Sequence, residues 1–347
     1  MLGSRYKILQ PLCEGGFGAT YIAEDTKYPD CPQCVVKKLH SDAEDSEFMA
    51  IARRMFIKEA QTLGKLGQHS QIPHLLAYFE EDGEFYLVQQ YIRGETLTQE
   101  LTPGRLWSEE EVIDLLQDLL QILDFVHQNG VIHRDIKPDN LIRRTLDSKL
   151  VLVDFGTVKE VMLTQYKGIS STVSIGTQGY MPNEQARGKP RFASDIYAAG
   201  MVAIQALTGV FPLDLPENQQ GEIIWQDRVE CSPLLREIIS KMVRYHFQDR
   251  YHSAKEILTN LEIAKNHAVN GLEQDTTGIV SRSDTSQLKK VSSDRQPKQF
   301  YPTTKKDKNS AIALVVGGLV LLTGVVIGGN YLLNNDFSLP IELKQTE

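Results

Sequence analysis

The sequence predicts an α+β chain in two lobes, a small β-rich one over residues 4–92 and a larger helical one over 93–265. A disordered linker (266–310), one apolar span (311–333) and a short tail (334–347) follow. Three observations carry this. Alternating apolar runs with Gly-rich turns come first, helical periodicities follow, and a charge-free stretch stands near the C-terminus. Of the 347 residues, 41% are hydrophobic and 24% charged, so a sizeable core is available. A net charge of −8 argues against a nucleic-acid partner, since such binders are basic. Cys13, Cys31, Cys34 and Cys231 are too few for a disulfide framework, and the N-terminus reads as no secretory signal. The body is therefore expected in the cytoplasm.

In the first lobe, Tyr6 to Leu12 alternates, and Cys13-Glu14-Gly15-Gly16-Phe17-Gly18-Ala19-Thr20-Tyr21 turns and returns. Glycines at a hairpin tip let backbone N–H groups approach phosphate oxygens, although a tight β-turn needs them equally. The next strand, Val35 to Leu39, sets Lys37 among β-branched residues, where its ammonium snorkels to solvent or meets an anion. Phe48 to Leu66 has helical spacing. It carries Glu59, placed to pair with Lys37 or to lie on a helix surface. Phe85 to Ile92 reads as a buried strand leading to a hinge at Gly94.

The second lobe opens on a capping box, Ser108 with Glu111, and a helix with an apolar stripe from Val112 to Val126 that Asn129-Gly130 ends. Leu150 to Val153 is a short buried strand ending in Asp154-Phe155-Gly156. Residues 157–177 are rich in Ser, Thr and Gly and read as a long functional loop. Helical patterns resume over 195–207, 233–245 and 253–264.

Between the first helix and that strand lies Val131-Ile132-His133-Arg134-Asp135-Ile136-Lys137-Pro138-Asp139-Asn140-Leu141-Ile142. So many ionisable and amide side chains pinned between apolar runs read as a rigid loop with converging polar groups, not a solvated face.

Residues 266–310 hold eleven Ser or Thr and a net charge of +3, the composition of a disordered linker. From Asn309 to Asn335 there is no charge. Residues 311–333 would span roughly 34 Å as a helix, enough for a bilayer core. Lys305, Lys306 and Lys308 before the span, against one Lys and three acids after it, put the lobes in the cytoplasm. Gly324 and Gly328 form one G-x-x-x-G, which allows a homodimer through the span.

Together these motifs resemble the protein kinase family, most closely the eukaryotic-type Ser/Thr kinases of bacteria, over residues 4–265. The resemblance implies the bilobal kinase fold, ATP and Mg²⁺ as cofactors, and protein Ser/Thr side chains as substrates. It implies Asp135 as catalytic base and Lys137 as the γ-phosphate contact, with Asn140 and Asp154 holding Mg²⁺. Leu12, Cys13, Gly15, Gly16, Phe17, Gly18 and Thr20 would cover the nucleotide. Lys37, paired with Glu59, would grip its phosphates, and Gln90 to Ile92 would hold the adenine through backbone groups. Gly176 to Glu184 resembles the end of the family's activation segment, with Glu184 pairing to Arg250 and Asp195 bonding the catalytic-loop backbone. Arg134 suggests control by an anion on the loop, where Thr164, Ser170, Ser171, Thr172 and Ser174 are candidate autophosphorylation sites.

The chain departs from the family at Cys13 and Thr20 in the glycine loop, at Asn183 in place of a Pro, and at Gln89 in the gatekeeper position. Cys31-Pro32-Gln33-Cys34 is either two loop thiols or a redox-sensitive pair beside the ATP site. A membrane-anchored Ser/Thr kinase is the reading these residues support. The alternative is a catalytically silent membrane scaffold of the same fold, and a small-molecule phosphotransferase fits less well.

Overall fold

The computed structural model describes residues 1–15, 18–39, 46–155 and 179–277. The chain divides into Met1–Arg282 and Ser283–Glu347. The second unit, with the expected span and tail, lies outside the described residues. Among the described residues no helix is long and apolar enough to cross a membrane.

The first lobe is an antiparallel sheet of β1 (Tyr6–Gly15), β2 (Gly18–Asp25), β3 (Gln33–Leu39), β4 (Leu75–Glu81) and β5 (Glu84–Gln90) in the order β1-β2-β3-β5-β4, with α1 (Ser46–Leu66) between β3 and β4. Asp82 and Gly83, both at positive φ, form the two-residue turn that joins β4 to β5. Such a turn matches the twist of the paired strands.

Period-2 alternation sends the two faces of this sheet to different places. Tyr6, Ala23, Cys34, Val36, Tyr86 and Val88 form a buried cluster on one face, where the Phe79 ring stacks against Tyr6 and Tyr86 at 6.1 and 5.3 Å. On the other face Leu87 joins the main core with Phe56, Ala60 and Leu63 of α1.

The second lobe begins with β6 (Gly94–Thr96) and α2 (Leu97–Glu100), followed by α3 (Glu109–Gln128), β7 (Leu141–Arg144) and β8 (Leu150–Leu152). It continues with α4 (Asn183–Ala186), α5 (Phe192–Thr208), α6 (Pro233–Met242) and α7 (Ala254–Thr277). The α3 cap forms as expected: the Ser108 hydroxyl accepts the Glu111 N–H and Glu111 accepts the Ser108 N–H, an arrangement worth about 1 kcal/mol. Val112, Leu116, Leu119, Ile122, Leu123 and Val126 of α3 are fully buried against α5 and α7. α5 is apolar nearly all round, which suits only a helix surrounded by protein.

Two expectations change, and two short strands had not been read. Gly94 is not a hinge turn but the first residue of β6, paired with Arg144 of β7. Strands β6 and β7 themselves had no alternating signal, because strands of three and four residues are too short to show a period. Residues 266–277, expected as linker, belong to α7, which runs on to Thr277, and the rest of the expected linker lies outside the described residues. Low apolar content there reads as linker, but the segment lacks proline, and a helix already nucleated by packing extends through such residues.

Candidate active site

The upper wall of the site is written in the strand register. Cys13 lies opposite Thr20, Thr20 opposite Lys37, and Lys37 opposite Leu87. Directly opposed residues of antiparallel strands point to the same face, so Cys13, Thr20 and Lys37 share the face turned away from the Cys34 cluster. Gly15 pairs with Gly18 where β1 returns as β2. A Cβ on Gly18 would fall 2.2 Å from the Lys38 carbonyl oxygen, so only glycine fits this approach. Leu12 and Cys13 are exposed on β1. Gly16 and Phe17 lie outside the described residues.

Lys37 Nζ sits 2.7 Å from Asp154 Oδ1 and 3.2 Å from Glu59 Oε1. The Glu59 pairing that the resemblance implies is therefore present, and α1 is the element that delivers it. Burial alone would push the Lys37 ammonium down; the carboxylates of Asp154 and Glu59 outweigh it and hold it above the ordinary lysine value. Behind Lys37, Gln89 and Ile92 are buried, and the Gln90 N–H donates to the His74 carbonyl, so β5 enters the inter-lobe connection already pinned.

The lower wall is the loop 131–142. Asn140 Nδ2 donates to the Asp135 backbone oxygen at 2.7 Å and to Asp135 Oδ2 at 2.9 Å. Lys137 Nζ reaches the same Oδ2 at 3.1 Å. Asp135, Lys137 and Asn140 are thus one hydrogen-bonded set. Both Asp135 atoms are acceptors, which forces the Asn140 amide to present its NH₂ to them and turns its carbonyl oxygen the other way.

This loop is tied to Asp154 through Val153. The Val153 N–H donates to the Asn140 backbone carbonyl at 3.0 Å, and His133 Nε2 contacts the Val153 backbone carbonyl at 3.1 Å. The His133 ring also packs edge-on against Phe155 at 4.8 Å. Burial lowers the His133 pKa despite the neighbouring Asp195, Asp135 and Asp154 carboxylates, so the ring is neutral and its Nε2 donates.

Asp195, from the first turn of α5, fastens the loop from below. Its Oδ2 accepts the His133 N–H at 2.9 Å and its Oδ1 the Arg134 N–H at 2.8 Å. His127 Nε2 lies 2.9 Å from the same Oδ2. Arg134 stands at φ +68° and Asp154 at φ +65°, a region that costs a non-glycine residue about 1–3 kcal/mol unless the surroundings impose it. At Arg134 they do. Its N–H is held by Asp195, and its carbonyl accepts Gln185 Nε2 at 2.5 Å.

Gln185 was not foreseen as a site residue. It lies on the four-residue α4 and is buried. The neighbouring Glu184 makes the expected pair with Arg250, at 2.6 and 3.2 Å, and accepts the Ser194 hydroxyl at 2.8 Å. The Arg250 side chain is fully buried. Burial opposes ionisation of Glu184, yet the Arg250 guanidinium and Ser194 win and hold its carboxyl below the usual value. Asn183 starts α4 without disrupting the turn. The five candidate hydroxyls of the long loop lie outside the described residues.

Cys34 is not a loop thiol. It sits on β3, buried in the cluster on the far face of the sheet, with its Sγ 3.5 Å from the Ala23 carbonyl. Burial pushes its thiol up to about 11. Exposed Cys31 lies in the preceding turn, and both cysteines are free. Among the described residues no group of three or more His, Cys, Asp or Glu is placed to hold a metal ion.

The two walls form a cleft with a lysine gripped by two carboxylates above, and an Asp–Lys–Asn set stitched to one of those carboxylates below. Residues 6–261 match the family model described as protein kinase domain, and the chain belongs to that family. It is 44% identical over 269 residues to serine/threonine-protein kinase B of Synechocystis, an alignment covering 76% of this chain and 47% of that one. It is 36% identical over 342 residues to serine/threonine-protein kinase D of the same organism, covering 94% of this chain and 67% of that one. The crystal structure of the Mycobacterium tuberculosis PknI kinase domain shares the fold, with a TM-score of 0.57 and 24% identity over 75% of this chain and 96% of that one. The chain spans about half the length of kinase B.

Proposed function

We propose that this chain is a serine/threonine protein kinase, transferring the γ-phosphate of ATP to protein hydroxyls and to its own loop. One observation carries the reading: Asp135, Lys137 and Asn140 converge in one hydrogen-bonded set that Val153 couples to Asp154, the partner of Lys37. A silent scaffold has no need of that convergence.

The residues fit the nucleotide and its metal. The Asn140 side-chain carbonyl oxygen and the Asp154 carboxylate are hard oxygen donors, the kind Mg²⁺ takes. ATP with Mg²⁺, when bound, would supply the phosphoryl group and the cation that neutralises it. Both donors to the Asp135 carboxylate among the described residues fall on Oδ2. Among the described residues, Oδ1 is therefore the oxygen to orient the substrate hydroxyl and receive its proton. Lys137 would lend positive charge on the phosphoryl side, and Lys37 would grip the α/β-phosphates while Glu59 keeps it aligned. Cys13, Gly15, Gly18 and Thr20 would roof the nucleotide together with Leu12, Gly16 and Phe17, and Gln90 and Ile92 would edge the adenine.

The apolar, charge-free residues 311–333, with lysines before them, support a single membrane span holding the kinase domain on the cytoplasmic side. Its G-x-x-x-G permits a homodimer. The test is ³²P transfer from ATP to a generic protein substrate by the full chain in detergent, with Asp135→Asn as control. Transfer that requires Asp135 is expected. Equal counts from both proteins would sink the proposal.

A further inference from the structure

Among the described residues three glutamines are buried: Gln71, Gln89 and Gln185. Two of them use their amides to hold the fold. Gln71 Nε2 donates to the Leu150 carbonyl and Gln185 Nε2 to the Arg134 carbonyl. Gln89, only 6% exposed, is the exception, for among the described residues its amide has no hydrogen-bond partner. The adjacent Gln90 differs, since its side-chain oxygen accepts the His74 N–H at 3.4 Å. Nor is the Gln89 amide sealed in. Its atoms keep a small accessible area, so they front open space rather than packed hydrocarbon.

The strand register says where that space lies. Gln89 stands opposite Val35 of β3, and Leu87, two residues earlier, stands opposite Lys37, which in turn faces Thr20. Residues two apart on a strand share a face, so Gln89 is on the Lys37 face, about 7 Å further along β5. It immediately precedes the 90–92 connection. The amide therefore lies in the cleft between the lysine that would grip the phosphates and the backbone that would edge the adenine. A buried amide without a partner costs stability, and a Leu or Met there would not. Adenine supplies the missing partner. With its N1 side against residues 90–92, the base turns its adjoining N6–N7 edge to the next residue inward. That edge sets an N–H donor beside a ring acceptor, and a carboxamide is complementary to the pair.

We infer that Gln89 is the base-reading residue of the proposed kinase, with Oε1 accepting from the adenine 6-amino group and Nε2 donating to N7. The inference rests on the kinase reading and deepens it: the nucleotide is chosen for its amino group and N7 together, not merely as a flat apolar ring. Val35 and Leu87, both buried on the same face, keep water from the two bonds and so raise their weight.

The test measures dissociation constants of the Mg²⁺ complexes of ATP and 7-deaza-ATP, which has C–H in place of N7, on the full chain in detergent. N7 is the atom to change because the 90–92 backbone would meet the N1 side instead. Wild type should bind 7-deaza-ATP about tenfold more weakly than ATP. Gln89→Met keeps the length of the side chain without its donor. It should bind ATP about tenfold more weakly than wild type does and no longer distinguish the two nucleotides. Gln89→Glu turns an acceptor towards N7 and should prefer 7-deaza-ATP. Thermal unfolding without nucleotide checks that the variants fold, and Gln89→Met should be at least as stable as wild type. Equal affinities for the two nucleotides in wild type, or the wild-type ratio kept in Gln89→Met, would overturn the base-reading role. Asp135-dependent ³²P transfer from ATP by the same wild-type preparation would then leave the kinase reading standing. Wild type that binds neither nucleotide and transfers no phosphate would overturn both.

Discussion

The carboxylate of Asp195 accepts the backbone N–H of both His133 and Arg134, at 2.9 and 2.8 Å, and thereby sets the backbone on which Asp135 stands. The Asp195 side chain is 1% exposed, so these charge-assisted bonds are not weakened by solvent. Asp195→Asn keeps the size but offers one acceptor and one donor to two N–H groups. The misplaced donor should cost about 2 kcal/mol of stability and drop kcat about 100-fold through loss of Asp135 placement. Thermal unfolding and steady-state kinetics on the same preparation check both; a fall in Tm with unchanged kcat would show that the carboxylate only supports the fold.

Gln185 completes what Asp195 begins. Arg134 at φ +68° is held from its amide by Asp195 and from its carbonyl by Gln185. Gln185→Ala should leave Arg134 free to relax from the left-handed region, lowering kcat about tenfold while KM for ATP stays close to wild type, because Lys37 and Glu59 lie on another lobe. Gln185→Glu removes the donor without removing the volume and should behave like the alanine variant. A wild-type kcat in both would remove Gln185 from the positioning apparatus.

What was legible in the chain follows how far apart the partners are. His133 to Asn140 lie within eight consecutive letters, and their chemistry reads directly from them. Lys37 stood out as a charge among β-branched residues, although only the α1 geometry decides between a pairing Glu59 and a surface one. Gln185 gave no signal, because a glutamine in a four-residue helix looks like surface until Arg134, 51 residues away, is folded beneath it. Asp118 was equally silent. It breaks the apolar stripe of α3, yet it is buried and accepts the Leu150 N–H and the Lys149 ammonium. Cys34 misled in the opposite direction: its spacing from Cys31 suggested a paired loop, whereas strand alternation buries it on the far face.

That burial makes a prediction about redox behaviour. A thiol pushed up to about 11 is scarcely ionised at neutral pH and makes a poor nucleophile. Peroxide treatment is therefore expected to leave ATP affinity unchanged, and Cys31→Ser to behave as wild type before and after it. Cys34→Ser should instead lower stability by about 1–2 kcal/mol, since it puts a more polar group into the Tyr6–Val36–Tyr86 cluster. Loss of nucleotide affinity on oxidation, reversed by thiol reductant, would restore the redox reading.

Acid should unfold this protein in two stages, and the sign is the same for both. His133 has a folded pKa below its unfolded value of 6.5. The unfolded chain therefore binds the proton first, so this contribution is fully present above about pH 6.5 and is lost as pH falls through the folded value. Glu184 has a folded pKa below its ordinary 4.5; its contribution is intact above about pH 4.5 and disappears as pH falls further. The free energy of unfolding, measured by urea titration between pH 8 and 3 with the full chain in detergent, should start to decline near pH 6.5 and steepen below 4.5. Glu184→Gln should remove much of the second limb and, at pH 7, cost about 3 kcal/mol, because Arg250 is left buried without its carboxylate. A lower limb of unchanged steepness in Glu184→Gln would assign it to other carboxylates, Asp25 with its Arg5 partner being the next candidate, since that hydrogen bond also lowers the Asp25 pKa.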